Sequence, residues 1–489
     1  MQFLKSIPYS VWCLLCSLPL FFIGIESTHD WGDDFAQYLV EAQNIAKANP
    51  LYESKYVFNP INAEYAPRAY PPGYPLLQAP LIKLFGINLK VLFLELSVLL
   101  GITLFAGFSF FNRFFSKRSA LALAVLVCYC PQVLALKYHL LSDLPLMCFM
   151  TLYAWRRSLP QQGNSNSIYL ALISCFAFLI RSQAIIILVA ECCVLLYTIL
   201  VQRKKYAELK SSIYIVVNTV LLLMLLQVTL LRQLPGTLQF YLQLFSLRDA
   251  SILDTLQKNS VYAYELLQSF FVLRSDSEFV LRFCYYAGHL SIVLCIAGIL
   301  LSRSSNNGIY ALILLFNYLI IIFISVQQGV RYLLPILPFF VLFVALALRK
   351  MYLHFSLTKL SVPLLAVSAA YCLFNYASSL TTPYDTSHSP FTGADSITFT
   401  YLKKHLPQTA VVCSTKPRAI ALLADVKATT LSYTAAPADN KRHFDSLQVN
   451  YFLCRKDLDW DIIEHYLRSS GDLYDTLEIA STYTLYTKR

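Results

Sequence analysis

The sequence predicts a polytopic α-helical membrane protein that ends in a small α/β domain, and three observations support this fold class. Hydrophobic residues make up 57% of the 489-residue chain and charged residues only 14%, a composition more apolar than that of soluble domains. Apolar runs long enough to cross a bilayer recur along the chain. The formal charge of +11 lies largely in short loops between these runs, which is typical of membrane topology and argues against nucleic-acid binding.

About eleven spans are predicted from the length of the apolar runs. The first run could be a cleavable signal peptide, but we favour a retained anchor because no small-residue cleavage site precedes Glu26. The predicted spans are 7–25, 89–111, 119–136, 143–157, 168–181, 184–201, 212–231, 283–302, 308–325, 332–348 and 361–379.

The basic loop clusters predict the orientation. With eleven spans, every cluster, including Arg156–Arg157 and Arg203–Lys205, falls on the side of the N-terminus, which is therefore expected to be cytoplasmic. Residues 26–87 and those after about 380 are then exoplasmic. We expect an integral protein of a bacterial inner (plasma) membrane, with the C-terminus outside.

Two domains are predicted. Residues 1–380 form a transmembrane domain with a long first exoplasmic loop (26–87), and residues 381–489 form a soluble exoplasmic α/β domain. In the second domain, strand patterns at 410–413, 449–454 and 477–487 alternate with helical patterns at 397–405, 417–423 and 461–468.

The thirteen cysteines do not indicate a metal site or a disulfide framework. Most lie inside apolar runs, where cysteine behaves as a small apolar residue. Cys413 and Cys454 lie in the polar C-terminal region, and a bridge between them stays open.

An amphipathic helix with an acidic start follows the first span. Apolar residues recur with helical spacing from Phe35 to Ala46, and the helix is preceded by the adjacent acids Asp33 and Asp34. Asp30 and Asp33 have the spacing of a capping pair. Capping leaves Asp34 unexplained, so we consider both acids candidate catalytic residues.

Three further polar clusters lie at span ends on the predicted exoplasmic face. They are Lys137–Pro145, with His139 and Asp143; Arg181–Gln183; and Gln327–Tyr332, with Arg331. Each has a structural alternative: Asp143 could cap the following helix, both arginines could extend to the interface, and His139 could be an interfacial side chain.

Acids together with arginines suit a transfer reaction at this surface. A carboxylate can act as general base toward a hydroxyl nucleophile, and guanidinium groups bind phosphate oxygens in bidentate geometry. A lipid-linked phosphate donor would supply a membrane enzyme on a face without nucleotides.

Four stretches occur in a recognisable order: Trp31-Gly32-Asp33-Asp34, Tyr70-Pro71-Pro72-Gly73-Tyr74-Pro75, Ser142-Asp143-Leu144-Pro145 and Arg331-Tyr332-Leu333-Leu334-Pro335. In this ordered combination the chain resembles the GT-C superfamily of polytopic glycosyltransferases, in particular the protein O-mannosyltransferase and lipid A aminoarabinose transferase branch (glycosyltransferase family 39-like). It departs from the usual patterns in having Asp-Asp where Asp-Glu is frequent and Arg68-Ala69 before Tyr70 and the double proline.

The resemblance implies a transferase that moves a sugar from a polyprenyl-phosphate donor to a protein, lipid or glycan acceptor, with inversion. A divalent cation would fit between carboxylates and phosphate, but two acids do not require one, and no metal ligand or other cofactor is assigned. The roles it implies are catalysis for Asp33 (general base), Asp34 (supporting acid) and Asp143 (acceptor side); donor-phosphate binding for Arg331, Tyr332 and Arg181; and acceptor or loop contacts for Arg68, Tyr70 and His139.

Two other functions stay open. A transporter or flippase of lipid-linked saccharides would fit the membrane fold, although transporters usually have internal repeats and ionisable residues at mid-membrane depth, which this sequence does not show. A non-catalytic membrane scaffold would leave the four polar clusters unexplained.

Overall fold

The computed structural model describes most of the chain, and the statements below concern the residues that it describes. These form two compact units. Unit one contains the described residues of 1–25, 92–231 and 247–383, and unit two contains those of 26–91 and 384–489. The described residues are 8–30, 32–62, 67–159, 163–202, 206–229, 252–272, 277–302, 305–323, 329–354, 361–381, 389–391, 393–432, 435–456 and 460–489.

Helices account for most of the described residues, and one mixed sheet lies in unit two. The helices are α1 (Tyr9–Ser17), α2 (Asp34–Lys47), α3 (Gly73–Phe85), α4 (Leu89–Phe111), α5 (Lys117–Cys128), α6 (Pro131–Leu136), α7 (Asp143–Ser158), α8 (Gly163–Ile180), α9 (Ile185–Leu200), α10 (Tyr206–Thr229), α11 (Ile252–Gln268), α12 (Glu278–Leu301), α13 (Ser305–Phe323), α14 (Leu337–His354), α15 (Ser361–Thr381), α16 (Gly393–His405), α17 (Pro417–Leu423), α18 (Pro437–Leu447) and α19 (Trp460–Ser470). The strands are β1 (Val411–Cys413), β2 (Lys427–Thr429), β3 (Tyr451–Arg455), β4 (Tyr474–Ile479) and β5 (Tyr483–Lys488).

Unit one is a helical membrane unit. Within the described part of the chain, four helical stretches are long and apolar enough to cross a bilayer: Leu89–Phe111, Ser182–Leu200, Glu278–Leu301 and Val330–His354. Shorter apolar helices lie at Tyr9–Phe22, Ser165–Ile180, Ser212–Met224 and Asn307–Phe323. The predicted class, a polytopic helical membrane protein with a small C-terminal α/β region, is confirmed, whereas the number of eleven spans stays a prediction.

Prolines explain where the helices differ from the predicted spans. The run 119–136 is two helices, α5 and α6, because Pro131 lacks a backbone N–H and begins a new helix. The span predicted at 332–348 starts with two 3-10 turns, and α14 begins only at Leu337. Pro335 is the second residue of the second turn, and proline is tolerated in the first turn of a helix, where its missing N–H costs no hydrogen bond.

A small residue allows two long helices of unit one to pack closely. A Cβ atom added to Gly298 on α12 would overlap the backbone carbonyl of Phe343 on α14. Small residues at such crossings let helix backbones approach in a membrane. Any larger side chain at this position therefore requires α12 and α14 to move apart.

Unit two combines the first loop with the C-terminal region. Its five-stranded sheet has the order β2-β1-β3-β5-β4, with β1 parallel to β2 and β3, and with β5 antiparallel to β3 and β4. The first loop extends this sheet, because Val57 N–H donates to Ala428 O (2.7 Å) and Ala428 N–H donates to Lys55 O (2.9 Å). The Asn59 amide adds a bond to Thr430 O (2.7 Å), so the loop covers the edge of β2.

The sequence patterns found most of the C-terminal elements. Strand β1 and helix α17 lie where predicted, and the 477–487 pattern corresponds to the β4–β5 hairpin. Strand β2 and helix α18 were missed: β2 has only three residues, and α18 (PADNKRHFDSL) is almost entirely polar. Cys413 and Cys454 are buried, and the bridge left open between them is not formed in the structure.

Candidate functional site

Asp33 lies directly before α2, yet its side chain does not cap that helix. Its Oδ1 atom instead accepts the backbone N–H groups of Arg418 and Ala419, both at 3.0 Å. These groups belong to the first turn of α17, whose N–H groups have no partner within the helix. The capping interpretation of Asp33 is therefore wrong for its own helix, and the carboxylate anchors a different helix of unit two.

Arg418 joins both acids to Tyr70. Its Nη1 atom lies 3.3 Å from Asp34 Oδ1 and 3.0 Å from the Tyr70 hydroxyl, and its Nη2 donates to Pro67 O at 2.9 Å. The Tyr70 hydroxyl donates to the same Asp34 oxygen at 2.6 Å. We call Asp33, Asp34, Tyr70 and Arg418 the acidic cluster.

The members of the acidic cluster differ in exposure. The side chain of Arg418 is 1% exposed, that of Asp33 14% and that of Asp34 26%. Burial raises the pKa of Asp33, and the charges of Arg418 and Lys416, together with the Ala419 N–H, act in the opposite direction. Asp33 is therefore a partly buried carboxyl whose ionised form depends on its basic neighbours.

Asp33 has one oxygen fixed and one oxygen available. Whereas Oδ1 accepts two backbone N–H groups, Oδ2 has no hydrogen-bond partner among the described residues and lies 3.7 Å from Arg418 Nε. A carboxylate held in this way keeps its orientation and retains an acceptor oxygen for a proton. That is the arrangement that general base catalysis requires.

A second buried acid supports the acidic cluster from α2. Glu41 Oε1 accepts Gln37 Nε2 (2.7 Å) and the Tyr70 backbone N–H (2.8 Å). Burial raises the pKa of Glu41 to about 8, although these hydrogen bonds and Arg418 oppose the shift. Burial thus favours the protonated form of Glu41, whose Oε1 holds the backbone of Tyr70.

Unit one contains a second cluster of charged side chains, in which two arginines contact one aspartate. Arg181 Nη1 donates to Asp143 Oδ1 at 2.6 Å, and Arg331 Nε lies 3.6 Å from Asp143 Oδ2. The Arg181 guanidinium carbon is 4.2 Å from the centroid of the Tyr332 ring, a cation–π distance. We call Asp143, Arg181, Arg331 and Tyr332 the arginine cluster; these four predicted residues lie together.

Two buried amides hold the backbone of the arginine cluster. Gln183 Nε2 donates to the Tyr332 carbonyl at 2.6 Å, and Asn317 Nδ2 donates to the same oxygen at 3.2 Å. Gln183 also donates to Asn317 Oδ1 at 2.5 Å. Asn317 was not among the predicted residues. A single amide side chain inside the apolar run 308–325 is a sequence feature that could have identified it as a functional candidate.

The remaining predicted residues lie elsewhere. The Arg68 guanidinium is 5.0 Å from the Tyr52 ring centroid, and only its backbone carbonyl reaches α2, where it accepts Gln37 Nε2 at 3.3 Å. His139 is half-buried in the turn between α6 and α7. Trp31, Gln327 and Gln328 lie outside the described residues.

Each cluster suits a different ligand. The arginine cluster brings two guanidinium groups to one aspartate, and guanidinium groups suit an anion such as a phosphate. Asp33 faces Arg418 and Lys416, and a carboxylate kept ionised by neighbouring cations suits proton acceptance. Asp33 and Asp34 are also the carboxylates that could offer oxygen ligands to a divalent cation.

Part of the chain is similar to a known protein family. Residues 69–230 match the family model of dolichyl-phosphate-mannose-protein mannosyltransferases. No curated protein matches the sequence.

Solved structures share the fold along nearly the whole chain. The structure of ArnT from Cupriavidus metallidurans bound to undecaprenyl phosphate is similar with a TM-score of 0.62 and 11% identity, over 98% of this chain and 97% of that one. Archaeal oligosaccharyltransferase AglB from Archaeoglobus fulgidus, in complex with an inhibitory peptide and a dolichol-phosphate, is similar with a TM-score of 0.58 and 12% identity, over 98% of this chain and 74% of that one. The fold that the resemblance to the GT-C superfamily implied is the fold that these solved structures share with the chain.

Proposed function

We propose that this protein, a membrane chain with the GT-C glycosyltransferase fold, transfers a sugar from a polyprenyl-phosphate donor to an acceptor hydroxyl, with Asp33 as general base. The observation that carries the proposal is the geometry of Asp33. One of its oxygens is fixed by two backbone N–H groups at 3.0 Å, and the other has no hydrogen-bond partner among the described residues.

The chemical step uses the second oxygen of Asp33. The acceptor hydroxyl oxygen attacks the anomeric carbon of the donor sugar, and Asp33 Oδ2 takes the hydroxyl proton. The bond between the anomeric carbon and the phosphate oxygen breaks, and polyprenyl phosphate leaves with both electrons of that bond. A pKa raised by burial makes Asp33 a stronger proton acceptor, while Arg418 and Lys416 favour its ionised form.

The arginine cluster supports binding of the donor phosphate. Arg331 and Arg181 bring two guanidinium groups to Asp143, and guanidinium groups bind phosphate oxygens. Asp143 contacts both guanidinium groups, so its contacts favour a positioning role rather than the role on the acceptor side that the sequence resemblance implied. A guanidinium held by a carboxylate presents its remaining N–H groups in a fixed plane.

The structural neighbours support the donor class. ArnT was solved with undecaprenyl phosphate, and AglB with dolichol-phosphate and a peptide. By this analogy we propose a lipid-phosphate donor and a protein, lipid or glycan acceptor. We further propose that the reaction occurs at the exoplasmic face of a bacterial inner membrane, with a cytoplasmic N-terminus.

A transfer assay tests this function. Membranes containing the protein receive a panel of radiolabelled polyprenyl-phosphate sugars, and the label that leaves the donor lipid is measured by extraction. We expect one donor to lose label to an acceptor, and Asp33→Asn membranes with the same amount of protein to transfer far less. Label that crosses the membrane while it stays on the polyprenyl phosphate would instead show a flippase.

A further inference from the structure

We propose that Arg418 is a positioning residue of the reaction, supplied by the C-terminal α/β region, and that it holds the two acids and Tyr70 in their working arrangement. This inference rests on the proposed function, since it assigns a role to Arg418 in the base chemistry of Asp33. It makes the C-terminal region a working part of the catalytic centre of unit two.

The contacts of Arg418 reach each member of the acidic cluster. The backbone N–H fixes Asp33 Oδ1 at 3.0 Å, Nη1 lies 3.3 Å from Asp34 Oδ1, and the same Nη1 lies 3.0 Å from the Tyr70 hydroxyl. Nη2 donates to Pro67 O at 2.9 Å, which ties the loop before α3 to the same side chain. One residue thus contacts both acids and Tyr70: its backbone holds Asp33, and its guanidinium contacts Asp34 and Tyr70.

Two aromatic rings complete the environment of the guanidinium. Its central carbon lies 5.4 Å from the Tyr56 ring centroid and 5.0 Å from the Tyr70 ring centroid, both within cation–π distance. Tyr56 belongs to the loop segment that pairs with β2, through an isolated bridge to Ala428. The first loop and the sheet therefore both constrain the guanidinium plane.

The backbone of Arg418 also helps to position Asp33, and the local fold explains why. Arg418 is the second residue of α17, which connects β1 to β2 in the parallel part of the sheet. Pro417 begins that helix, and the next two backbone N–H groups point to Asp33. A change of side chain at position 418 leaves these two backbone bonds available, so side-chain and backbone contributions can be separated by mutation.

The charge of Arg418 offsets repulsion between the acids. Asp33 and Asp34 are adjacent, and two carboxylates that share a site disfavour joint ionisation. The titratable and charged groups that face Asp33 are Asp34, Tyr56, Lys416 and Arg418, and Tyr70 faces Asp34 and Arg418. Without the guanidinium, Lys416 remains as the cation near Asp33, and the base should protonate at a higher pH.

The experiment compares Arg418→Gln and Arg418→Lys with the wild type, in membranes and at matched protein amounts. Transfer is measured from pH 5 to pH 9, and kcat and the KM for the donor are determined. In Arg418→Gln we expect the acidic limb of the profile to move upward by on the order of one pH unit and kcat to fall on the order of 10²-fold. Arg418→Lys should keep the acidic limb near its wild-type position but lose roughly tenfold in kcat, because an ammonium cannot reproduce the fork.

Controls separate a positioning role from mere folding. Arg468→Gln, at an exposed arginine of the same unit, should leave both rate and profile unchanged. An unchanged profile in Arg418→Gln, with lower activity explained by lower protein amount, would overturn the inference. If Arg418→Gln does not accumulate, the test rests on Arg418→Lys alone. A wild-type kcat in Arg418→Lys would show that the planar guanidinium group is not needed, and it would overturn the inference.

The outcome also distinguishes this inference from the proposed function. Wild-type protein that transfers no sugar from any donor contradicts the function itself. A wild type that is active, together with an inactive Asp33→Asn and an Arg418→Gln with wild-type profile and rate, contradicts only the role of Arg418.

Discussion

The acidic cluster of unit two and the arginine cluster of unit one are built from the same side-chain types in inverse proportion. In the acidic cluster, Asp33 and Asp34 share Arg418. In the arginine cluster, Arg181 and Arg331 share Asp143. The minority residue in each case contacts both majority residues, so it helps to set their geometry. The majority side chains differ in chemistry: carboxylates can accept a proton, whereas guanidinium groups can bind an anion.

The clusters also differ in how the chain assembles them. The arginine cluster uses residues at helix ends: Asp143 begins α7, Arg181 follows α8, and Arg331 lies in the 3-10 turn before α14. The acidic cluster combines a loop with a residue of the C-terminal sheet region, 385 positions along the chain. A cluster at helix ends is visible as a set of polar interruptions in apolar runs, whereas a cluster formed by distant tertiary contacts has no such pattern.

Among changes in the arginine cluster, Arg331→Lys is expected to have the largest effect on transfer. Lysine keeps the positive charge but not the planar fork that matches a phosphate, so transfer should fall on the order of 10²-fold, as when one preorganised donor to an oxyanion is lost. The measurement is label transfer from the donor identified in the wild-type assay, at matched protein amount.

Arg282→Lys is the matched control for Arg331→Lys. Arg282 lies on α12 of the same unit, and its pair with Glu278 is largely exposed, so this change should have little effect. Wild-type transfer by Arg331→Lys would mean that Arg331 only extends to the membrane interface. The proposal that the arginine cluster binds the donor phosphate would then be wrong.

A smaller effect, on stability, is expected for Glu41→Gln. Because burial raises the pKa of Glu41 from 4.5 to about 8, the folded protein holds a proton between these values that the unfolded chain has released. Stability from this group is therefore full below about pH 4.5 and falls as pH rises toward 8, by an amount on the order of a few kcal/mol. A glutamine side chain at this position cannot ionise, so the stability of the variant should not decrease with rising pH in this way.

Thermal unfolding of the detergent-solubilised protein between pH 5 and pH 8 measures this difference. The midpoint of Glu41→Gln should decline less with pH than that of the wild type, and Glu53→Gln, at an exposed acid of the same loop, should follow the wild type. Parallel pH dependence in Glu41→Gln and wild type would show that Glu41 is ionised in the folded state, adding a third negative charge beside Arg418.

The helices of unit one and the residues of the arginine cluster could be predicted from the sequence, because apolar run length and polar interruptions report directly on membrane helices. Asp33, Asp34 and Tyr70 were also selected, and the structure brings them together. Arg418 could not be predicted, since it resembles an ordinary basic residue in the short amphipathic segment 417–423. Its significance depends on burial beside two acids, and no local periodicity encodes that contact.

The short strand β2 shows the same limit. Three residues carry too little alternation to be recognised, and the strand is stabilised by β1 on one side and by the loop residues Tyr56 and Val57 on the other. From the sequence, the first loop and the C-terminal region were therefore predicted as separate parts, whereas the structure groups them in one compact unit. Distant strand pairing of this kind is a tertiary property.

The most direct test of the account is the pair Asp33→Asn and Asp34→Asn. An asparagine at position 33 can still accept the N–H groups of Arg418 and Ala419 through its amide oxygen, so α17 should stay anchored while the base is lost. Asp475→Asn, at an exposed acid of the same unit, is the control and should transfer normally.

We expect Asp33→Asn to accumulate in the membrane and to lose transfer on the order of 10²–10⁴-fold, with a smaller loss in Asp34→Asn. An active Asp33→Asn with an inactive Asp34→Asn would move the base one residue along the chain. Wild-type transfer by both variants would contradict the central claim that this carboxylate pair carries the chemistry.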